Sequence, residues 1–182
     1  MARVLPEIDA RTATFLEEQA VFFVATAPLA ADGHVNLSPK GGAGSLVVVD
    51  PLTVAYLDLT ASGAETIAHL RENGRITIMA CAFSGRPSIV RLHGRGRVVP
   101  AVADEFSTWA ARFPERPGVR AVIVVEVDRV SDSCGFAVPR MDLVGERDVL
   151  DQANERKGPD GVAEYRAQKN RMSIDGLPAA DW

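Results

Sequence analysis

The chain has 182 residues, 47% of them hydrophobic, and carries 24 acids against 20 bases for a net charge of −4. That length suggests one domain with room for a terminal extension, and the apolar content is enough for a core. The acidic balance argues against non-specific nucleic-acid binding, leaving a local basic patch as the alternative, and no apolar run is long enough to cross a bilayer. MARVLPEIDA lacks the apolar stretch of a secretory signal, so a cytoplasmic protein is expected. The two cysteines, Cys81 and Cys134, show no metal-like spacing and read as buried thiols, a disulfide being the alternative.

Residues 7–18 read as a short helix with Ile8, Thr12, Phe15 and Leu16 on its apolar stripe and Asp9 as its cap. VFFVATAP, residues 21–28, is a strand by its β-branched and aromatic content. Ala31-Asp32-Gly33 predicts a hairpin turn. The return strand, His34–Lys40, alternates: Val35 and Leu37 face one way, and His34, Asn36, Ser38 and Lys40 face the other. Gly41-Gly42-Ala43-Gly44 then gives a flexible connection where backbone can approach a ligand. The polar row is either the wall of a binding site or a solvent face before a loose turn. Leu46–Val49 and Thr53–Leu59 are further strands, parted by Asp50-Pro51.

The stretch Tyr56–Gly74, YLDLTASGAETIAHLRENG, predicts a strand end, a hydroxyl-rich turn and a helix. Ser62 and Glu65 have capping-box spacing, which starts the helix at Ser62, and Asn73-Gly74 stops it. Thr60, Ser62 and Gly63 surround the helix start. Unpaired backbone N–H groups and the positive end of the helix dipole make this a phosphate cradle or, alternatively, an ordinary capped helix.

Arg75–Phe83 reads as a buried strand. In the next strand, Ser88–Val99, Arg91, His93, Arg95 and Arg97 share one face, and Val90, Leu92, Gly94, Gly96 and Val98 the other. Such a row of cations calls for an anion, or for acidic partners such as Glu126 and Asp128. Ala101–Phe113 reads as a helix presenting Phe106, Trp109 and Ala110, and Val119–Val130 as an apolar strand. Residues 131–139 are irregular. Residues 146–155 and 160–169 are polar helical segments separated by Lys157-Gly158-Pro159, and Asn170–Trp182 is extended. This tail is expected to pack over the body or over a partner chain. About seven strands with short antiparallel connections predict a mainly β protein, a small barrel with added helices.

No Gly-x-Gly-x-x-Gly opens a helix, and no phosphate loop is present. His34, His69 and His93 lack ligand spacing, so no metal is expected, and no side chain is assigned a catalytic role. What remains is a set of anion-binding candidates: the hydroxyls of Thr60–Ser62, Lys40, and Arg91 with its neighbours. A ligand with a phosphate at one end and a flat polar ring at the other would use all of them.

The order FFVATAP, VNLSPKGG, VAYLDLTASGAETIAHLRENGRITIM and SIVRLHGRGRVV resembles the pyridoxamine 5′-phosphate oxidase-like family, the FMN-binding split barrel, over roughly residues 12–130. CGFAVPRMDLVGERD and KNRMSIDGLP resemble the extension of one branch of that family. The resemblance implies a six- to seven-stranded antiparallel split barrel over residues 1–130. Residues 131–182 would form an extension packing on the barrel or the dimer partner. It implies a homodimer with a flavin at the interface: FMN, or alternatively deazaflavin or haem. Carried over motif by motif, Asn36, Ser38, Lys40 and Gly41 would lie along the flavin ring. Thr60, Ser62, Gly63 and Thr66 would lie near the phosphate, and Arg91 and His93 would reach the cofactor from the later strand. The function implied is FMN-dependent oxidation or reduction of a small organic substrate, with non-catalytic binding of flavin, deazaflavin or haem as the alternative. Two departures stand out. The end Ile174-Asp175-Gly176-Leu177-Pro178 lacks the arginine and histidine of the vitamin-forming oxidases. The phosphate turn also lacks basic residues and holds Glu65, which would cap its own helix and repel a phosphate.

Overall fold

A computed structural model describes residues 3–179; the end of the extended tail read from the sequence, Ala180–Trp182, lies outside the described residues. The elements are β1 (Arg3–Leu5), α1 (Ala10–Glu18), β2 (Val21–Thr26), β3 (Asn36–Gly41), β4 (Leu46–Asp50), β5 (Thr53–Leu59), α2 (Glu65–Asn73), β6 (Arg75–Cys81), β7 (Ile89–Pro100), α3 (Phe106–Ala110), β8 (Val119–Ser133) and α4 (Val149–Lys169). They build one sheet in the order β3-β2-β6-β7-β8-β5-β4, with β1 paired to β8 off this path. All pairings are antiparallel. The fold is a curled antiparallel half-barrel with helices added, as the sequence pattern predicts.

Period-two alternation sorts side chains to two sides of the curled sheet. Phe22 and Val24 of β2, Ile78 of β6, Leu92 of β7, Ile123 of β8 and Tyr56 of β5 fill the inside, completed by Leu16 of α1 and Ile67 and Leu70 of α2. Each such side chain, once buried, contributes about 1.5–3 kcal/mol of transfer free energy. A second, smaller core lies on the outer face. There Ala55 and Leu57 of β5 and Val122 and Val124 of β8 pack against Phe113, with Phe106 and Trp109 of α3 at its border.

Asp9 caps α1 as expected, its carboxylate accepting from the Thr12 N–H at 2.8 Å. Other expectations are corrected. The helix read over Ala101–Phe113 shrinks to α3, because the preceding residues form three-residue turns, with Ala103 N–H on Pro100 O and Phe106 N–H on Ala103 O. Arg97 pairs with Glu105 at 2.7 Å rather than with an acid of β8, and Arg95 donates to the Asn73 carbonyl at 2.8 Å. Cys81 is buried, but Cys134 is exposed; both thiols are free. The two polar helical segments form the two pieces of α4. They join at Gly158, whose φ of 64° and ψ of 176° break the helix before Pro159 restarts it. The stretch from Asn170 is not extended throughout: it turns back on itself, with Met172 bridging Pro178 and Ser173 N–H donating to Leu177 O.

Candidate functional site

The sheet has two free edges, β3 and β4, and side chains close the gap between β3 and the α2–β5 wall. Asn36, Ser38 and Lys40 lie opposite Thr26, Val24 and Phe22 in the β2–β3 ladder, so they share the inward face. Asn36 Nδ2 donates to Thr26 Oγ1 and to Thr66 Oγ1, each at 3.1 Å, and Ser38 Oγ donates to Asn36 Oδ1 at 2.9 Å. His69 Nδ1 of α2 lies 3.0 Å from the Thr26 hydroxyl, buried. Lys40 Nζ donates to Asp58 Oδ1 at 2.9 Å, and Arg120 Nε donates to Asp58 Oδ2 at 2.6 Å. Burial alone would push the Asp58 carboxyl up, but the charges of Lys40 and Arg120 outweigh it and hold the pKa at about 2. The neighbouring Tyr56 phenol is raised well above its ordinary value by burial and by Asp58, so it stays protonated.

The turn after β5 is the second half of the site. Thr60 is buried, and its hydroxyl accepts from Arg166 Nε of α4 at 2.7 Å. Arg166 also donates to the Val119 carbonyl at 2.9 Å. Burial and the nearby Arg120 charge push the Arg166 pKa below its usual value. Asn154 and Asn170 donate to the carbonyls of Thr60 and Ala61 at 3.3 and 3.0 Å. Ser62 and Gly63 face solvent.

The predicted capping box does not form. Helix α2 starts at Glu65, the cap position falls on Ala64, and no side chain bonds to the first-turn N–H groups. Ser62 sits two residues too early, and Glu65 occupies the first helical position instead of the third. Its carboxylate turns away and accepts from the Ile174 N–H at 3.0 Å. The helix start is therefore left without a side-chain cap, next to a buried hydroxyl and a half-buried guanidinium. The uncapped N–H groups are the part of this turn that suits a phosphate, while Arg166 already donates to Thr60 Oγ1 and the Val119 carbonyl and lends its charge from there.

The sequence-predicted residues do not all come together. Asn36, Ser38, Lys40 and Thr66 form the inner seam, and Thr60, Ser62 and Gly63 the turn. Gly41 ends β3, where its carbonyl accepts from Arg116 at 3.3 Å. Arg91 and His93 are not brought to either place. They pair with Met79 and Thr77 across β6, on the outward face, and Arg91 donates to Ser133 Oγ at 3.2 Å. Asp58, Arg120 and Arg166 escaped the sequence reading. For the first two a signal existed, a lone charge inside each of the apolar strands TVAYLDL and VRAVIVV. Arg166, on a polar helix, carried none. Among the described residues, no group of three or more His, Cys, Asp or Glu is placed to hold a metal ion, and no helix is long and apolar enough to cross a membrane.

A curled antiparallel half-barrel with a polar seam at its open edge and added helices defines the class of protein: a split barrel. Residues 8–134 match the pyridoxamine 5′-phosphate oxidase family, and the chain belongs to that family. It is 39% identical over 180 residues to the pyridoxamine 5′-phosphate oxidase family protein ustO of Aspergillus flavus, a match that covers 88% of this chain and 70% of that one. Among solved structures it is similar to HupZ of Group A Streptococcus, with a TM-score of 0.52 and 24% identity over 68% of this chain and 91% of that one. It is also similar to the FAD binding protein from Mycobacterium smegmatis, with a TM-score of 0.50 and 18% identity over 72% and 97%. At these identities the two structures support the fold alone.

Proposed function

We propose that the chain is a homodimeric flavin-binding protein that uses FMN to oxidise or reduce a small organic substrate. The observation that carries this reading is the α2 N-terminus without a side-chain cap, beside Thr60 and Arg166. Family membership supports the flavin. Arg166 and the first-turn N–H groups of α2 would hold the phosphate; the arginine supplies the positive charge that the turn itself lacks. The side chains of Asn36, Ser38 and Lys40 are committed to the seam. The free backbone edge of β3 is then what remains to meet the ring. A bound flavin supplies the hydride chemistry. The residues of the chain bind it, orient it and exclude water.

Arg91 and His93 share the outward face with Leu37, which is 66% exposed, and with half-buried Phe23 and Met79. A second copy covering that face would bring both residues to an interface, where the cofactor is proposed to lie.

The test is titration of the purified protein with FMN, read by quenching of flavin fluorescence. Micromolar binding is expected, weakened at least about tenfold in Arg166→Ala. Failure of FMN, FAD and deazaflavin to bind at micromolar levels overturns the reading. One observation favours a non-catalytic carrier instead: Lys40 is held by Asp58 and His69 is buried behind Thr26, so neither is aimed outward as an acid or base. A bound flavin that NAD(P)H cannot reduce would select the carrier, and a Soret band would replace flavin by haem.

A further inference from the structure

At the far end of β8 from the Thr60 turn lies a cleft of about 350 Å³ that the flavin reading does not use. Strand β1, the first turn of α1, the start of β7 and the end of β8 enclose it. Phe15, Pro87 and Val90 give it an apolar wall, and Thr12, Ser88 and Ser133 supply hydroxyls. Arg3, Arg11 and Arg86 stand around it.

The charges there are unevenly committed. Asp9 is occupied as the cap of α1, and Asp132 accepts from Arg3 at 3.1 Å. Among the described residues, Arg11 and Arg86 have no carboxylate within 4.0 Å. Asp9 stays ionised and feels the charges of Arg3 and Arg11, but the three arginines of the cleft outnumber its two carboxylates, and the exposed guanidinium groups of Arg11 and Arg86 border the apolar wall. The volume is at the small end of ligand sites, suited to a body of one ring. A guanidinium recognises a carboxylate or phosphate by paired N–H donors, and its positive charge rejects cations.

We propose that this cleft binds a small organic anion, an apolar or aromatic body with one carboxylate or phosphate group, held by Arg11 and Arg86. The site is separate from the proposed flavin site and does not depend on it. The body lies on Phe15, Pro87 and Val90, and the head group faces the two arginines. Ser88 offers a further hydroxyl donor.

The probes are benzoate, phenyl phosphate and neutral benzyl alcohol, titrated into the intact chain and followed by amide chemical shifts. Benzoate or phenyl phosphate is expected to bind with a Kd below about 10 mM. Its shifts should cluster at Arg11, Phe15, Ser88 and Cys134. The tighter of the two identifies the head group, and benzyl alcohol should shift nothing. Arg11→Ala and Arg86→Ala should each weaken binding about two- to fivefold, and the double variant should abolish it. Both side chains are exposed, so the variants fold, as their unchanged spectra would show. The proposal is overturned if neither anion binds, if benzyl alcohol binds equally well, or if the double variant binds as the parent does. Displacement of the anion by FMN would also overturn it, by making the cleft part of the flavin site. Failure of FMN to bind leaves this result standing on its own.

Discussion

Asp58 has no solvent exposure, yet it keeps its charge, because Lys40 and Arg120 hold its two oxygens from opposite sides of the seam. Its folded pKa, about 2, lies below the ordinary 3.8, so ionised Asp58 favours the folded state at any pH above 3.8. That contribution is lost as pH falls from 3.8 through about 2. Asp58→Asn removes one partner of a buried pair and leaves two cations facing an amide. The expected cost is about 3–5 kcal/mol in urea unfolding at pH 7, with a flatter acid limb below pH 4. Breaking the half-exposed Arg97–Glu105 pair by Glu105→Gln should leave the urea midpoint nearly unchanged in the same assay, because solvent screens that pair. Asp58 and Arg120 were legible in principle: a charge in an apolar strand needs a buried partner, and each strand held one. The pairing itself needed the register of β5 on β8. Glu65 gives a second test at this scale. Glu65→Gln keeps an oxygen for the Ile174 N–H and removes a negative charge beside the proposed phosphate. FMN affinity should rise about two- to fivefold in a fluorescence titration; an unchanged Kd would move the phosphate elsewhere.

The elements with a strict period were readable, and the irregular ones were not. β2, β5, β6 and β7 lie within two residues of the strands read from the sequence, because runs rich in β-branched and aromatic residues, and the alternation in β7, have one stable placement on a curled sheet. α2 slipped by two residues at its cap because Ser62 and Glu65 mimic a cap that tertiary contacts from the tail override. Strand β1 has three residues and no pattern to find; it exists because β8 runs long enough to offer it an edge. The tail is held by contacts from distant residues. Arg166 and Asn170 grip the turn after β5, Arg71 donates to the Ala179 carbonyl, and Asp175 accepts from both the backbone and the ring of His34. The His34 pKa is raised by its hydrogen bond to Asp175, and that of Asp175 is lowered by the same bond. The charged latch therefore stays closed below the ordinary His value of 6.5 and above the ordinary Asp value of 3.8, and it weakens as pH rises through the folded His34 pKa. Amide exchange at Asp175 and Gly176 should quicken on going from pH 6 to pH 8 by more than the intrinsic base-catalysed increase. His34→Ala should remove the excess, and an excess that persists in that variant would place the titrating group elsewhere.

At the scale of the molecule, the polar seam and the outward apolar row are two consequences of one open barrel. A sheet whose end strands do not pair must close its inside with side chains, and Asn36, Ser38 and Lys40 do so by turning inward. Alternation then forces Val35 and Leu37 outward, 73% and 66% exposed. The sequence reading had the two faces of β3 right and their environments open, since period two separates faces without saying which one meets the core. An edge strand with an apolar outer face is a liability for a monomer unless something covers it. A second copy of the chain is the proposed cover, and it would also bring Arg91 and His93 to the interface. Light scattering on the purified protein should give twice the 19.5 kDa chain mass. Leu37→Asp places a charge on a side chain that the protomer itself leaves exposed, so the barrel should keep its β-sheet spectrum while the mass falls to that of one chain. If the flavin needs both copies, FMN binding should fall with dimer content as the Leu37→Asp protein is diluted, and loss of binding without loss of dimer would separate the two proposals. A Leu37→Asp protein that remains a full dimer would exclude this face as the interface, because a buried unpaired carboxylate costs more than a standard apolar contact returns.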